Sequence, residues 1–173
     1  SFFSVYNARD AEVIRNLGFN TIKIPSHEVT NYELIEYCLN NFELIVFSAG
    51  ACTENELDKV SVMVNNCKNK VILMHCVSCY PCMSENANLK RILALKKYCP
   101  NVELGLSDHT QSIILPAVAA GYGAISIEKH FTTNHDLPGR DNKFALLPDD
   151  FAKMVMNHKE AIKGLMDHGV GFQ

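Results

Sequence analysis

The 173-residue sequence is short of basic charge. Lys and Arg total 16 against 19 Asp and Glu, a formal net charge of −3. Neither a nucleic-acid backbone nor an anionic membrane surface is therefore an expected partner. No apolar run approaches the roughly 20 residues that a membrane-spanning helix needs. The opening stretch, SFFSVYNARDAEV, lacks the basic region followed by an apolar one that marks a secretory leader. The chain opens at Ser1 rather than Met, so its gene is expected to begin upstream. No linker or low-complexity segment divides it. Seven cysteines, an odd number, sit in a chain that is 47% hydrophobic and long enough for one substantial core, a poor fit to a disulfide framework. Free thiols in a reducing cytoplasm are expected instead.

What is present is a rhythm. Short runs rich in Val, Ile, Leu and Phe recur at residues 2–6, 21–25, 43–48, 70–76, 102–107 and 124–131, as strands buried on both faces do. Amphipathic stretches alternate with them. ARDAEVIRNLG sets Val13, Ile14 and Leu17 on one face before Gly18. TENELDKVSVMVNNC opens with Thr53 and Glu56 at capping-box spacing. ENANLKRILALKKYCP stops at Pro100, QSIILPAVAAGYG is short and apolar, and PDDFAKMVMNHKEAIKGL starts with Pro148 and two acids. The result is six βα units and a parallel sheet. Two architectures fit: an open doubly wound sheet, or a (β/α)8 barrel with two of its strands missing.

In either architecture, sites form beyond the C-terminal ends of the strands. Those ends are polar here: Lys23 running into Ser26, His27 and Glu28; Ser48 and Gly50; Ser107 to Thr110; and Glu128, Lys129 and His130. Strand alternation puts Ser126, Glu128 and His130 on one face. His109 lies just past the preceding strand, so His109 and His130 can approach one cation if those strands are neighbours. The nearby hydroxyls and carboxylates favour Mn or Mg. Lys23 on a buried strand asks for an anion, either Glu28 or a substrate phosphate, and the hydroxyls of Ser4, Ser48 and Ser107 suit that anion. His135, His158 and His168 fall on a loop, a helix and the tail, and carry no expected role. HCVSCYPC (75–82) looks metal-binding, but His75 and Cys76 are adjacent on a strand and point to opposite faces, which disfavours a structural zinc site.

GLSDHT (105–110), IEKHFT (127–132), LPGRD (137–141) and LLPDDF (146–151), preceded by KIPSHEVTN (23–31), FSAG (47–50) and HCVSCYP (75–81), follow one another along the chain. The ordered set resembles the sialic acid synthase family, which includes legionaminic and pseudaminic acid synthases. The resemblance implies an α/β fold of the (β/α)8 TIM-barrel type, with about six of the eight βα units in this chain and a single synthase-type domain over residues 1–173. It implies condensation of phosphoenolpyruvate with an N-acetylmannosamine-type aldose, release of phosphate, and help from a divalent metal, Mn or Mg. By position it makes His109 and His130 the metal ligands. Ser4, Lys23, Ser48 and Ser107 become phosphoenolpyruvate contacts, and Ser26 joins them as a substrate contact. Ser78 and Tyr80 lie in a loop lining the same pocket. Glu28 and Asp141 match positions contacting the amino sugar, and Glu128 matches an acid beside the reacting carbon. Glu128 and Glu28 are the candidate catalytic carboxylates.

Departures from the resemblance are local. Ala49, Arg140 and His27 stand where the family commonly has Thr, Pro and Gly, and the changes at Arg140 and His27 leave the sugar's identity open. The family's first two βα units, which supply an acid and a phosphate-binding lysine, and its antifreeze-like C-terminal domain are expected outside this chain. The full-length protein is expected to be a homodimer, and the 173-residue chain inactive or weakly active. Two rivals remain: an inert barrel fragment serving as an interaction unit, and a radical S-adenosylmethionine enzyme with an iron–sulfur cluster. The second requires cysteines spaced by three and then two residues, whereas Cys76, Cys79 and Cys82 are spaced by two and two.

Overall fold

Every apolar run read as a strand forms one. The computed structural model describes residues 2–166, so His168 lies outside the described residues. The strands are β1 (Phe3–Ser4), β2 (Thr21–Ile24), β3 (Leu44–Ser48), β4 (Lys70–Cys76), β5 (Glu103–Asp108) and β6 (Ala124–Lys129). They lie in chain order, each parallel to the next. A doubly wound sheet reverses its order at a switch point; this sheet never does, and winds one way as a barrel does.

The sheet is also curled. Neighbouring strands lie about 4.8 Å apart, so β2 and β6, four steps apart, would stand about 19 Å apart in a flat sheet. Yet Lys23 Nζ on β2 is 2.7 Å from Glu128 Oε2 on β6. Two side chains cannot bridge the flat-sheet gap, so the six strands form a sector of a (β/α)8-type barrel. Residues of one parity, among them Ile22, Ile45, Phe47, Leu73 and Leu106, pack outward against the helices in the main core. Residues of the other parity face the lumen. Val46, Ile72 and Met74 form a small apolar plug there, with Lys23, Ser48, Cys76, Ser107 and Glu128 nearer the C-terminal ends.

The helices are α1 (Ala8–Asn16), α2 (Tyr32–Asn41), α3 (Glu54–Asn65), α4 (Arg91–Tyr98), α5 (Leu115–Gly121) and α6 (Pro148–Leu165). The Thr53–Glu56 capping box is formed in full at α3, and α6 starts at Pro148 with Asp149 and Asp150 in its first turn. Three details differ from the sequence reading. Helix α2 had no clear signal; it is capped by Asn31, which accepts from the Leu34 amide, and buries Leu34, Ile35 and Cys38. Helix α4 starts later, because Asn88 takes a left-handed φ of 45° and interrupts the expected run. On α1, Ala11 is buried and Ile14 packs against the core, while Val13 and Leu17 are exposed. Among the described residues, α1 packs against α2. No helix among the described residues is long and apolar enough to cross a membrane.

Candidate active site

Lys23 is 3% exposed at the inward face of β2. Its Nζ donates to Ser48 Oγ at 2.6 Å, Glu128 Oε1 at 2.8 Å and Glu128 Oε2 at 2.7 Å. The ammonium is thus satisfied by one hydroxyl and by both oxygens of one carboxylate. Ser107, the register partner of Glu128 across β5 and β6, donates its hydroxyl to Glu128 Oε1 at 2.7 Å. The anion that Lys23 requires is therefore Glu128 rather than Glu28. Burial pushes the Glu128 carboxyl up. The Lys23 charge, the hydrogen bonds from Lys23 and Ser107 and the His109 charge more than offset this, and the group is held below the usual carboxylate range. Glu128 is ionised at neutral pH.

One inward position further along each strand, His109 and His130 face each other, with ring centroids 5.3 Å apart. His109 Nδ1 lies 2.8 Å from the Val77 carbonyl oxygen. A carbonyl can only accept, so Nδ1 carries a hydrogen, and in the neutral ring Nε2 keeps its lone pair. This is the tautomer and the backbone anchor typical of a metal-ligating histidine. Cys76 Sγ is 3.9 Å from the same Nδ1. Burial pulls His109 down, but hydrogen bonds to Cys76 and Val77 outweigh it and the net direction is up. His130 Nδ1 is 3.6 Å from Asp141 Oδ2. Burial and the His109 charge hold His130 down against Asp141 and Glu128, which favours a neutral imidazole. Tyr80 covers the pair, its ring 4.1 Å from His109 and 6.0 Å from His130, and Phe144 closes the far side at 5.1 Å from His130.

The site is thus an anion-binding lysine and hydroxyls, a charged carboxylate, and two imidazoles under an aromatic cover. The NeuB family pattern matches residues 1–169. The chain belongs to the NeuB family. It is 31% identical over 164 residues to the N,N'-diacetyllegionaminic acid synthase of Legionella pneumophila, covering 90% of this chain and 45% of that one. It is 34% identical over 167 residues to the pseudaminic acid synthase of Campylobacter jejuni, covering 96% of this chain and 48% of that one. The crystal structure of the N-acetylneuraminic acid synthetase of Leptospira borgpetersenii, in complex with citrate, superposes with a TM-score of 0.88 at 30% identity, covering 98% of this chain and 59% of that one. The NeuB chain spans about half the length of the curated relatives it matches.

Within this NeuB chain, the residues picked out by sequence fall into four groups. Lys23, Ser48, Ser107 and Glu128 form one hydrogen-bonded network, and His109, His130, Tyr80 and Asp141 gather above it. Ser26 and Ser78 flank Cys76: Ser26 Oγ accepts from the Gly50 amide at 3.1 Å, and Ser78 Oγ lies 4.0 Å from Cys76 Sγ. Glu28 and Ser4 stand apart. Glu28 accepts from Asn31 at 2.8 Å, and Ser4 is exposed on the edge strand in register with Lys23. No hydrogen bond among the described residues ties either one to the Lys23 network. Cys76, given no role from sequence, abuts His109 inside the site. Its inward parity beside its register partner Ser107 was the available signal. Phe144 was not singled out, and nothing in its local sequence sets it apart from a core aromatic.

Among the described residues no third His, Cys, Asp or Glu completes a metal cluster with the two imidazoles. Two imidazoles can hold a divalent ion whose other positions are filled by water or substrate oxygens, and by themselves do not select which ion.

Proposed function

We propose that the protein condenses phosphoenolpyruvate with an N-acetylmannosamine-type aldose, releasing phosphate and giving a nine-carbon, sialic-acid-like sugar acid. The observation that carries this reading is the ion pair of buried Lys23 with part-buried Glu128, set one inward position below the facing His109 and His130. A cation-and-hydroxyl floor suits a phosphorylated, carboxylated substrate, and the imidazoles suit the carbonyl partner that must meet it.

In this reading Lys23, with Ser48 and Ser107, holds the anionic groups of phosphoenolpyruvate by charge-assisted hydrogen bonds. His109 and His130 would hold a divalent ion, Mn or Mg, which when bound polarises the sugar's aldehyde. The C2=C3 electron pair of phosphoenolpyruvate forms the bond from C3 to the aldehyde carbon, whose C=O opens to an alkoxide. Water adds at the cationic C2, the C2–O bond to phosphate breaks, and water's oxygen becomes the keto oxygen, one of its protons going to the alkoxide and the other through Glu128 to the departing phosphate. Glu128 orients that water and takes its proton. Tyr80 and Phe144 exclude bulk solvent over the histidines, and Asp141 and Glu28 recognise the amino sugar from the rim.

The test is phosphate release by the protein at its full natural length, given phosphoenolpyruvate, N-acetylmannosamine and Mn. Release is expected to require both organic substrates, and to fall at least about 100-fold in Lys23→Met and in His109→Ala. Release at an unchanged rate in either variant, or without the sugar, would refute the assignment.

A further inference from the structure

Between the groups that face the lumen sits a second pair that faces away from it. Asp108 lies between Ser107 and His109, and Lys129 between Glu128 and His130. Strand alternation points both outward, into the layer between sheet and helices. They are register partners across β5 and β6. Lys129 Nζ is 2.6 Å from Asp108 Oδ2, and the side chains are only 2% and 3% exposed.

The lysine's other hydrogens go to backbone: the carbonyl of Thr110, and that of Ser112 at 3.1 Å. Asp108 accepts from the Thr110 amide at 2.9 Å and from the Thr110 hydroxyl at 3.2 Å. Thr110 Oγ1 in turn accepts from the Ser112 amide at 3.2 Å. The result is a closed cage around residues 108–112, with His109 inside the segment it pins. The lysine at its centre is the immediate neighbour of His130.

A buried ion pair in an apolar layer gives no stability advantage over well-packed apolar side chains. What this one does is geometric. It clamps together the two strand ends that supply both histidines, and it grips the backbone on either side of His109. We propose that Asp108 and Lys129 are positioning residues that set the separation and facing of His109 and His130. They touch neither substrate nor ion. The proposal rests on the reading of the two histidines as one site.

The test compares the unaltered protein with the double variant Asp108→Asn, Lys129→Met, which leaves no unpaired buried charge, so loss of fold does not obscure the result. Circular dichroism establishes folding. Histidine-labelled protein reports the ring-to-ring nuclear Overhauser contact between His109 and His130, and titration with Co(II) reports affinity through its visible spectrum. In the folded double variant the contact is expected to be lost and Co(II) to bind at least about tenfold more weakly, as for other residues that orient ligands. Retention of the ring contact overturns the proposal, whatever happens to Co(II) affinity. Loss of the contact in the variant, with no Co(II) binding by the unaltered protein, upholds the clamp and sinks the metal assignment instead.

Discussion

The two halves of the Lys23–Glu128 pair are expected to differ sharply in what their removal costs. The Lys23 side chain is 4% exposed and that of Glu128 is 41% exposed. In Lys23→Met the aliphatic stem is replaced in kind. The abandoned carboxylate keeps its bond from Ser107 and can turn to water, so the cost is about 1–2 kcal/mol, allowing for solvent screening. In Glu128→Gln an ammonium is left in a dry site with no counterion, and breaking a buried pair in this way costs about 3–5 kcal/mol. Removing both charges relieves the second penalty, so the double variant is expected close to Lys23→Met alone, a coupling of about 3–5 kcal/mol, the whole cost of Glu128→Gln. Urea denaturation followed by circular dichroism measures all three, with the m-value checked for constancy. Equal costs for the two single variants, or a double variant at their sum, would mean that the pair is not the isolated buried cation and hydrated anion described here.

Three further outcomes follow from other parts of the chain. A Cβ added at Gly50 would lie 2.8 Å from Cys76 Cβ and Sγ and 2.9 Å from its carbonyl oxygen, so Gly50→Ala is expected to cost about 1–3 kcal/mol; an unchanged melting temperature contradicts this. Cys79 is exposed, whereas burial pushes the thiols of Cys38 and Cys99 up to about 12 and about 11. Iodoacetamide at pH 8, read by peptide mass spectrometry, should modify Cys79 in the folded protein and the other two only in denaturant; equal rates would refute the assigned burial. Burial, with Arg91, lowers His75 against the opposing Ala87 carbonyl and Asp108. Because the folded value lies below the unfolded one, the stability held by neutral His75 is complete above about pH 6.5 and is lost as pH falls through the folded value. His75→Gln should therefore flatten the acid side of the stability profile, and superimposable slopes would exclude this.

The parts legible from sequence were those set by local period. Continuous Val and Ile runs marked the strands, and parity put Glu128 and His130 on one face and separated His75 from Cys76. What escaped depended on long-range geometry. The partner of Lys23 lies 105 residues away and is brought near by sheet curl, which no local pattern records; Glu28, the nearer acid, is taken by Asn31 three residues on. Helix α2 was missed because YELIEYCLNN mixes polar and apolar residues and its start depends on one Asn side chain. The Asp108–Lys129 cage was hidden because charged residues on a strand are first read as facing solvent or a site, and these face the core.

The pairing of Lys23 with Glu128 has a consequence for how this site fills. The lysine's charge already has its counterion, so an incoming anion that binds there does so by exchange, taking the place of a carboxylate already bound. Its measured affinity is a difference between two ion pairs. Under the proposed reaction the Glu128 carboxylate, until then an internal counterion, would be set free when phosphoenolpyruvate takes its place on Lys23, so that the base is stored as a counterion and released by the substrate that needs it.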